Sequence, residues 1–342
     1  MEPTLDLRPT GPDPLGVLGD TARVLGQAVH LRLDGEAALR FATAHRPGQG
    51  PSLDSPPEDA LHCRFLPPKR RLNYLLALEA LNFSFWDDAP RWRVDGGGAH
   101  GALGMLDGYW ALIAALRRAM VTEALPVWDA HWLAGLDLPA VEALLAGEGR
   151  AIPMLDTRLA HLREAGTVLL RDWGGQFANV VKAAEGDAAG LAYLIASTFP
   201  SFDDRSPWGE HTVRFFKRAQ ICVADLAHIG ADMPQGRLDG LAHLTAFADY
   251  KVPQVLRKVG VIVLGDDLAR RVDALEELPA HSVEEVELRA ATIWGVEWLR
   301  RALEAAHPGQ AFTAAGVDAL LWLAGQDKTG LPPYHRTRTP YY

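Results

Sequence analysis

The sequence has few cysteines, no long apolar run and no excess of basic residues. Its 342 residues include only Cys63 and Cys222, too few for a disulfide framework, which suits a reducing compartment. No apolar stretch approaches the ~20 residues of a membrane span, and the acidic, proline-rich start is unlike a signal peptide. A net charge of −9 argues against a nucleic-acid groove, which needs a basic face. We therefore expect a cytoplasmic protein with a small-molecule partner and no membrane or nucleic-acid partner; the composition predicts no oligomeric state.

The motifs of several enzyme classes are also missing. The 12 histidines are scattered, with no H-E-x-x-H motif and no C-x-x-C pair, so we predict no metal. No G-x-S-x-G motif marks a hydrolase serine. The glycine run at 96–98 lacks the spacing of a phosphate loop and fits the turn of a hairpin instead.

Most of the chain has helical periodicity. Apolar residues recur at i, i+3, i+4 and i+7 in many segments, most clearly at 212–230 and 281–307. Residues 91–104 form the one expected hairpin, and residues 1–57 form a less regular N-terminal arm and loop. The pattern predicts a single mainly α-helical domain over 1–342, with at most a small β-hairpin or sheet.

Asp249 is the residue that most strongly indicates chemistry. It lies among aromatic residues in LTAFADYKVPQVLRKVGVIV, residues 244–263, and Lys251 follows two positions later. A carboxylate at low dielectric needs a partner or takes up a proton. An ordinary salt bridge would satisfy it. Alternatively, an acid walled by aromatic rings fits a reaction that develops positive charge, such as cleavage of a sugar–base bond through an oxocarbenium-like transition state.

A second acid lies beside an indole. Asp318 precedes Trp322 by four residues in GVDALLWLAGQD, residues 316–327, so both lie on one helical face. This pair suits a flat cationic ligand, and it is equally typical of an acid near the start of a helix. The pair alone leaves both interpretations open.

Several motifs together resemble the queuosine salvage protein family, in the same order from about residue 58 to the end. They are LNFSFW (81–86), GYWAL (108–112), FPSF (199–202), FFKRAQICVADL (215–226), FADYKVPQVL (247–256), EVELRAATIWGVEWLR (285–300) and PYHRTRTPYY (333–342). The resemblance implies a mostly helical fold similar to the helix-hairpin-helix DNA glycosylases. The segment VLRKVGVIV is similar to the hydrophobic–glycine–hydrophobic turn of that hairpin.

The resemblance also implies an activity. Members of the family are queuosine 5′-phosphate N-glycosylases, which hydrolyse queuosine 5′-monophosphate to free queuine and ribose 5-phosphate without a cofactor. Carried over by position, Asp249 is the catalytic carboxylate, Phe247 packs on the base and His62 contacts the ligand. Asp318 matches a family acid, although the tyrosine that often follows that acid is here Ala319.

The charges of this substrate require further contacts. Its 5′-phosphate needs cations, and an arginine fork suits a phosphate especially well. The candidates are Lys217, Lys251, Arg336 and Arg338. Queuine is a 7-deazaguanine whose side chain carries a secondary ammonium, and Asp318 or another pocket acid can pair with it. Tyr250 and Trp322 complete the predicted substrate-binding set.

Two other functions stay open at this point. A non-catalytic binder of a modified nucleobase or nucleotide would use Asp249 only to hold an amine of the ligand. A nucleic-acid glycosylase would share the hairpin, although the acidic balance argues against it. The basic, aromatic C-terminal segment is also compatible with a tail that docks on the core through salt bridges.

Overall fold

Helices form most of the regular structure. The structure is a computed structural model that describes residues 6–45, 48, 63–97 and 103–342. Its α-helices are α1 (Val17–Leu25), α2 (Gly35–Ala44), α3 (Pro68–Ala80), α4 (Gly108–Val121), α5 (Ala130–Ala134), α6 (Leu138–Leu144), α7 (Leu155–Asp172), α8 (Phe177–Ala183), α9 (Ala188–Thr198), α10 (Lys217–Ile229), α11 (Lys251–Lys258), α12 (Asp266–Asp273), α13 (Val283–Ala306) and α14 (Ala314–Ala324). The prediction of a mainly α-helical chain is confirmed. No helix within the described ranges is both long and apolar enough to cross a bilayer.

In the described parts of the chain, six short strands pair into three two-stranded antiparallel sheets. They are β1 (Leu31–Leu33) with β6 (Ile262–Leu264), β2 (Arg93–Asp95) with β3 (Met105–Asp107), and β4 (Arg205–Trp208) with β5 (His211–Arg214). The pair β2–β3 confirms the predicted hairpin, although its residues 98–102 lie outside the described residues. The β4–β5 hairpin was not predicted. Its second strand had been assigned to the helix at 212–230, which instead begins at Lys217 because Phe216 has a φ of 50°.

The long helix α13 lies in the centre of the core. Its first turn is capped by Ser282, whose Oγ accepts a hydrogen bond from the Glu285 N–H at 3.3 Å. Trp294 in its middle is fully buried, and α1, α2, α11 and α14 pack against it. The N-terminal helices therefore share one connected core with the last quarter of the chain. The single domain over 1–342 and the relation to helix-hairpin-helix glycosylases both stay predictions.

Two fully buried arginines fix the segment that follows α3. The Arg158 guanidinium donates hydrogen bonds to the backbone carbonyls of Leu81, Phe83 and Ser84 at 2.5–3.1 Å. Arg218 donates to the carbonyls at 79 and 80 at 3.1 and 3.0 Å. The arginines thereby add partners to buried backbone carbonyls, some of which also accept from backbone N–H groups, as Leu81 does from Phe83 at 2.9 Å. The segment forms one wall of the cavity described below.

The C-terminal segment is docked firmly on this wall. The Ser84 N–H donates to the carbonyl of Tyr342 at 2.8 Å, and the Tyr342 hydroxyl donates to Glu285 Oε1 at 2.8 Å. Trp86 Nε1 donates to the Thr337 carbonyl at 3.2 Å. The tail therefore contributes rings to the same wall.

A buried ion pair between Arg289 and Asp204 is expected to be important for stability. The guanidinium donates to both carboxylate oxygens, at 2.8 and 2.5 Å, and both side chains are 1% exposed. Arg289→Met leaves the Asp204 charge buried and unpaired, so we expect urea denaturation to give a free energy of unfolding lower by about 3–5 kcal/mol. Arg270→Met, which removes an exposed pair with Asp267, should change little. Equal effects of the two substitutions would contradict this interpretation.

Candidate active site

A cavity of about 170 Å³ opens between α4, α10, α11, α14 and the C-terminal segment. Its walls carry many rings and a few charged groups. The rings are Phe83, Phe85, Trp86, Trp92, Tyr109, Phe247, Tyr250, Trp322, Tyr334 and Tyr342; the acids are Asp107, Asp225, Asp249 and Asp318; the cations are Arg91, Lys217, Lys251 and Lys328. An apolar pocket with convergent polar groups is typical of a small-molecule site.

Asp249 lines this cavity and is 9% exposed. Its Oδ1 accepts hydrogen bonds from the N–H groups of Lys251 and Val252, both at 2.8 Å, which fixes the carboxylate at the start of α11. In the part of the chain that the structure describes, Oδ2 has no hydrogen-bond partner, and no cation approaches the carboxylate within 4 Å. Burial raises the pKa of Asp249, while the charge of Lys217 opposes that rise. One carboxylate oxygen is therefore held and the other is available to a ligand.

Asp318 lies next to Asp249 in the cavity wall. It is 4% exposed, and its Oδ1 accepts a hydrogen bond from the Phe247 N–H at 2.9 Å. Burial, and then the negative charge of Asp249, raise the pKa of Asp318 well above its ordinary value. The negative charge of Asp249 therefore favours the protonated form of Asp318.

Lys217 is a fully enclosed cation beside these acids. It is the first residue of α10, and its Nζ donates to the Asn82 carbonyl at 3.3 Å. Burial lowers the pKa of Lys217, whereas the negative charge of Asp249 opposes that shift. The positive charge of Lys217 therefore depends on Asp249, and in turn favours the ionised form of Asp249.

A group of cations surrounds Tyr334 at another part of the cavity. The ammonium of Lys251 lies 5.7 Å from the centre of the Tyr334 ring, and the Arg91 guanidinium lies 5.8 Å from it. Tyr250 packs on the same ring at 4.9 Å. Burial lowers the pKa of Lys251, and the charges of Lys328 and Arg91 act in the same direction, so the cations are close enough to repel one another. Such a cluster suits an anion.

Asp225 is a fourth cavity acid that the sequence analysis did not single out. Its Oδ2 accepts a hydrogen bond from the Tyr109 hydroxyl at 3.1 Å. Tyr109 packs edge-on against Trp322, with ring centres 5.9 Å apart. Its spacing in the sequence could have identified it, because Asp225 follows Lys217 by eight residues and so lies on the same face of α10.

The structure brings together seven of the predicted site residues. They are Asp249, Phe247, Tyr250, Lys251, Asp318, Trp322 and Lys217, all of which line the cavity. Arg336 and Arg338 do not line it. They lie on the indole of Trp86, where they pair with Asp88 and Glu277 at 2.9 and 3.4 Å. His62 lies outside the described residues, and its role stays a prediction. Arg91, Tyr109, Asp225 and Lys328 were missed.

Metal-binding groups are not evident in the segments that the structure describes. No three His, Cys, Asp or Glu side chains there come together as potential ligands of one ion.

The chain is similar to known proteins. The family model described as queuosine salvage protein matches residues 62–342. The chain is 46% identical over 338 residues to a protein of Sphaerobacter thermophilus, covering 96% of this chain and 98% of that one. A mouse protein is 32% identical over 283 residues, covering 79% and 82% of the two chains. Both are named queuosine 5′-phosphate N-glycosylase/hydrolase. The chain belongs to the queuosine salvage protein family.

Proposed function

We propose that this protein hydrolyses queuosine 5′-monophosphate to free queuine and ribose 5-phosphate, and so salvages queuine for tRNA modification. The observation that carries the proposal is the environment of Asp249, with one oxygen held by two backbone N–H groups and the other available to a ring-lined cavity. Family membership and the names of the relatives support the same reaction.

The reaction breaks the bond between ribose C1′ and N9 of the base. The base leaves with the bonding electrons and gains a proton, and positive charge develops on the ribose until water adds to C1′ and loses a proton. Queuine has a carbon at position 7, so it offers no N7 lone pair for protonation, and stabilisation of the ribosyl cation becomes more important. We assign this role to Asp249 Oδ2, which acts on the cation directly or aligns the attacking water.

Two neighbours of Asp249 support that role. Burial raises the pKa of Asp249, and the charge of Lys217 opposes that rise and so favours the ionised form. Asp318 favours its neutral form, because burial and then the charge of Asp249 raise its pKa. Carboxyl groups whose pKa values are pushed apart typically divide into a charged and a neutral role. We assign to Asp318 a hydrogen bond to the substrate close to the glycosidic bond.

The cations around Tyr334 are the proposed phosphate subsite. Lys251, Arg91 and Lys328 converge there, whereas Arg336 and Arg338 are engaged outside the cavity. Of the phosphate-binding cations predicted from the sequence, this assignment retains Lys251. Arg91 and Lys328 take the place of Arg336 and Arg338. The base would then pack among Phe247, Trp322 and the rings that surround them.

The purified protein is expected to release queuine from queuosine 5′-monophosphate, as measured by chromatography. The nucleoside queuosine should have a kcat/KM at least about tenfold lower, because it lacks the charge-assisted contacts of the phosphate. Lys251→Met should reduce this preference for the nucleotide. Tight binding of the nucleotide without release of queuine would favour a non-catalytic binder, and salt-sensitive binding of duplex DNA or RNA would favour a nucleic-acid glycosylase.

Arg338→Met is the matched control, since it removes one positive charge outside the cavity. The preference for the nucleotide should be the same as in the wild type. If Arg338→Met reduces the preference and Lys251→Met does not, the phosphate belongs to the C-terminal arginines.

A further inference from the structure

Helix α10 lines the cavity over more than two turns. Lys217, Ile221 and Asp225 follow one another at intervals of four residues, and all three line the cavity. Eight residues of α-helix span about 12 Å. Lys217 interacts most strongly with Asp249, at the proposed sugar end. Asp225 therefore marks a second end of the cavity, well removed from the bond that breaks.

Asp225 is held by a hydroxyl and lies beside a second acid. The Tyr109 hydroxyl donates to it. Behind it lies Glu79, which is fully buried and accepts a hydrogen bond from Asn82 Nδ2 at 2.9 Å. Burial, and then the charge of Asp225, raise the pKa of Glu79 well above its ordinary value. The negative charge of Asp225 therefore favours the protonated form of Glu79.

We propose that Asp225, oriented by the Tyr109 hydroxyl, binds the secondary ammonium on the side chain of queuine. This inference rests on the proposed function and adds to it the residue that distinguishes queuine from bases without that cation. Trp322, which packs edge-on against Tyr109, would contact the ring system to which the ammonium is attached.

The other cavity acids are less suited to this role. Asp318 lies at the sugar end, is hydrogen-bonded to the Phe247 N–H and favours a proton. Asp107 Oδ2 pairs with Lys328 Nζ at 2.7 Å, among the cations assigned to the phosphate. Asp249 is assigned to the ribosyl cation. Asp225 lies at the end of the cavity away from the sugar, and an ammonium gains most from a carboxylate in a desolvated pocket.

The test compares two substrates that differ only in the cationic side chain. They are queuosine 5′-monophosphate and 7-deazaguanosine 5′-monophosphate. Asp225→Asn should lower kcat/KM for the first by at least about 30-fold. The loss for the second should be much smaller, so the ratio of the two values should fall at least about tenfold. Asp107→Asn is the matched control and should keep the wild-type ratio.

Several results would overturn the inference. Equal losses on both substrates, which leave the ratio unchanged, would mean that Asp225 does not contact the ammonium and instead reads the guanine-like edge of the ring or maintains the fold; no loss on either substrate would exclude it from the binding site. If the wild type released no queuine at all, the proposed function would fail instead. In that case calorimetry with free queuine and 7-deazaguanine still tests the contact between Asp225 and the ammonium, because Asp225→Asn should weaken only the binding of queuine.

Discussion

Asp249→Asn is expected to lower kcat for queuosine 5′-monophosphate by at least about 1,000-fold. The asparagine retains the oxygen that accepts the N–H groups of Lys251 and Val252, so the start of α11 should be preserved. The atom that changes is Oδ2, which becomes a neutral amide nitrogen. The ribosyl cation then develops without its counter-charge. Release of queuine in a single turnover measures the effect, and a loss of less than tenfold would remove Asp249 from the catalytic role.

The thermal stability of Asp249→Asn shows whether its loss of activity comes from a missing catalytic group or from a damaged fold. The pKa of Asp249 is raised by burial in the folded protein above its ordinary value of 3.8. A carboxyl whose pKa is raised in the folded state destabilises the fold when it is ionised. This destabilisation is absent at a pH below the pKa of the unfolded state and is complete at a pH above the pKa of the folded state. Asp249→Asn removes that cost at neutral pH, so its Tm there should be at least that of the wild type. An inactive variant with a markedly lower Tm would not support catalysis by Asp249.

Lys217→Met is expected to lower kcat about 100-fold and to move the acidic limb of the pH–rate profile to higher pH. The ammonium of Lys217 lowers the pKa of Asp249. Without it that pKa rises, so a larger fraction of Asp249 is protonated and inactive at any given pH. The pH dependence of kcat/KM reports this shift directly. A merely structural lysine would lower the rate without moving the limb.

The matched control is Lys182→Met, which removes an exposed lysine of α8. Its profile should coincide with that of the wild type. If Lys217→Met loses activity but its acidic limb stays in place, Lys217 acts on the substrate and not through Asp249.

Local sequence was sufficient to find the acid and its immediate surroundings. Phe247, Asp249 and Lys251 lie within one short segment, so a carboxylate among rings could be recognised without the fold. The long amphipathic segments likewise predicted helices, because their burial follows a single periodicity. The hairpin β4–β5 was not predicted, because Phe215 fits the apolar periodicity of α10 although it precedes the helix. Only the positive φ of Phe216 separates the strand from the helix.

The cationic part of the cavity could not be predicted in the same way. Arg91 and Lys328 come from segments far apart in sequence, and nothing in their neighbourhoods distinguishes them from surface residues. Arg336 and Arg338 looked more favourable, as they occur in a basic, aromatic segment. In the structure their guanidinium groups lie on Trp86 and face acids outside the cavity. The sequence shows that a segment is basic, but only the packing of the chain shows on which side its charged groups lie.

The pairing of β1 with β6, and the packing of α1 and α2 on α13, have a consequence for biosynthesis. Helix α2 packs on α13 and strand β1 pairs with β6, both of which are translated much later, whereas α1 also contacts β5. Until α13 and β6 emerge, the apolar faces of α2 and β1 remain exposed, which is the condition under which nascent chains aggregate or engage chaperones. Completion of this part of the core is therefore a late step of folding.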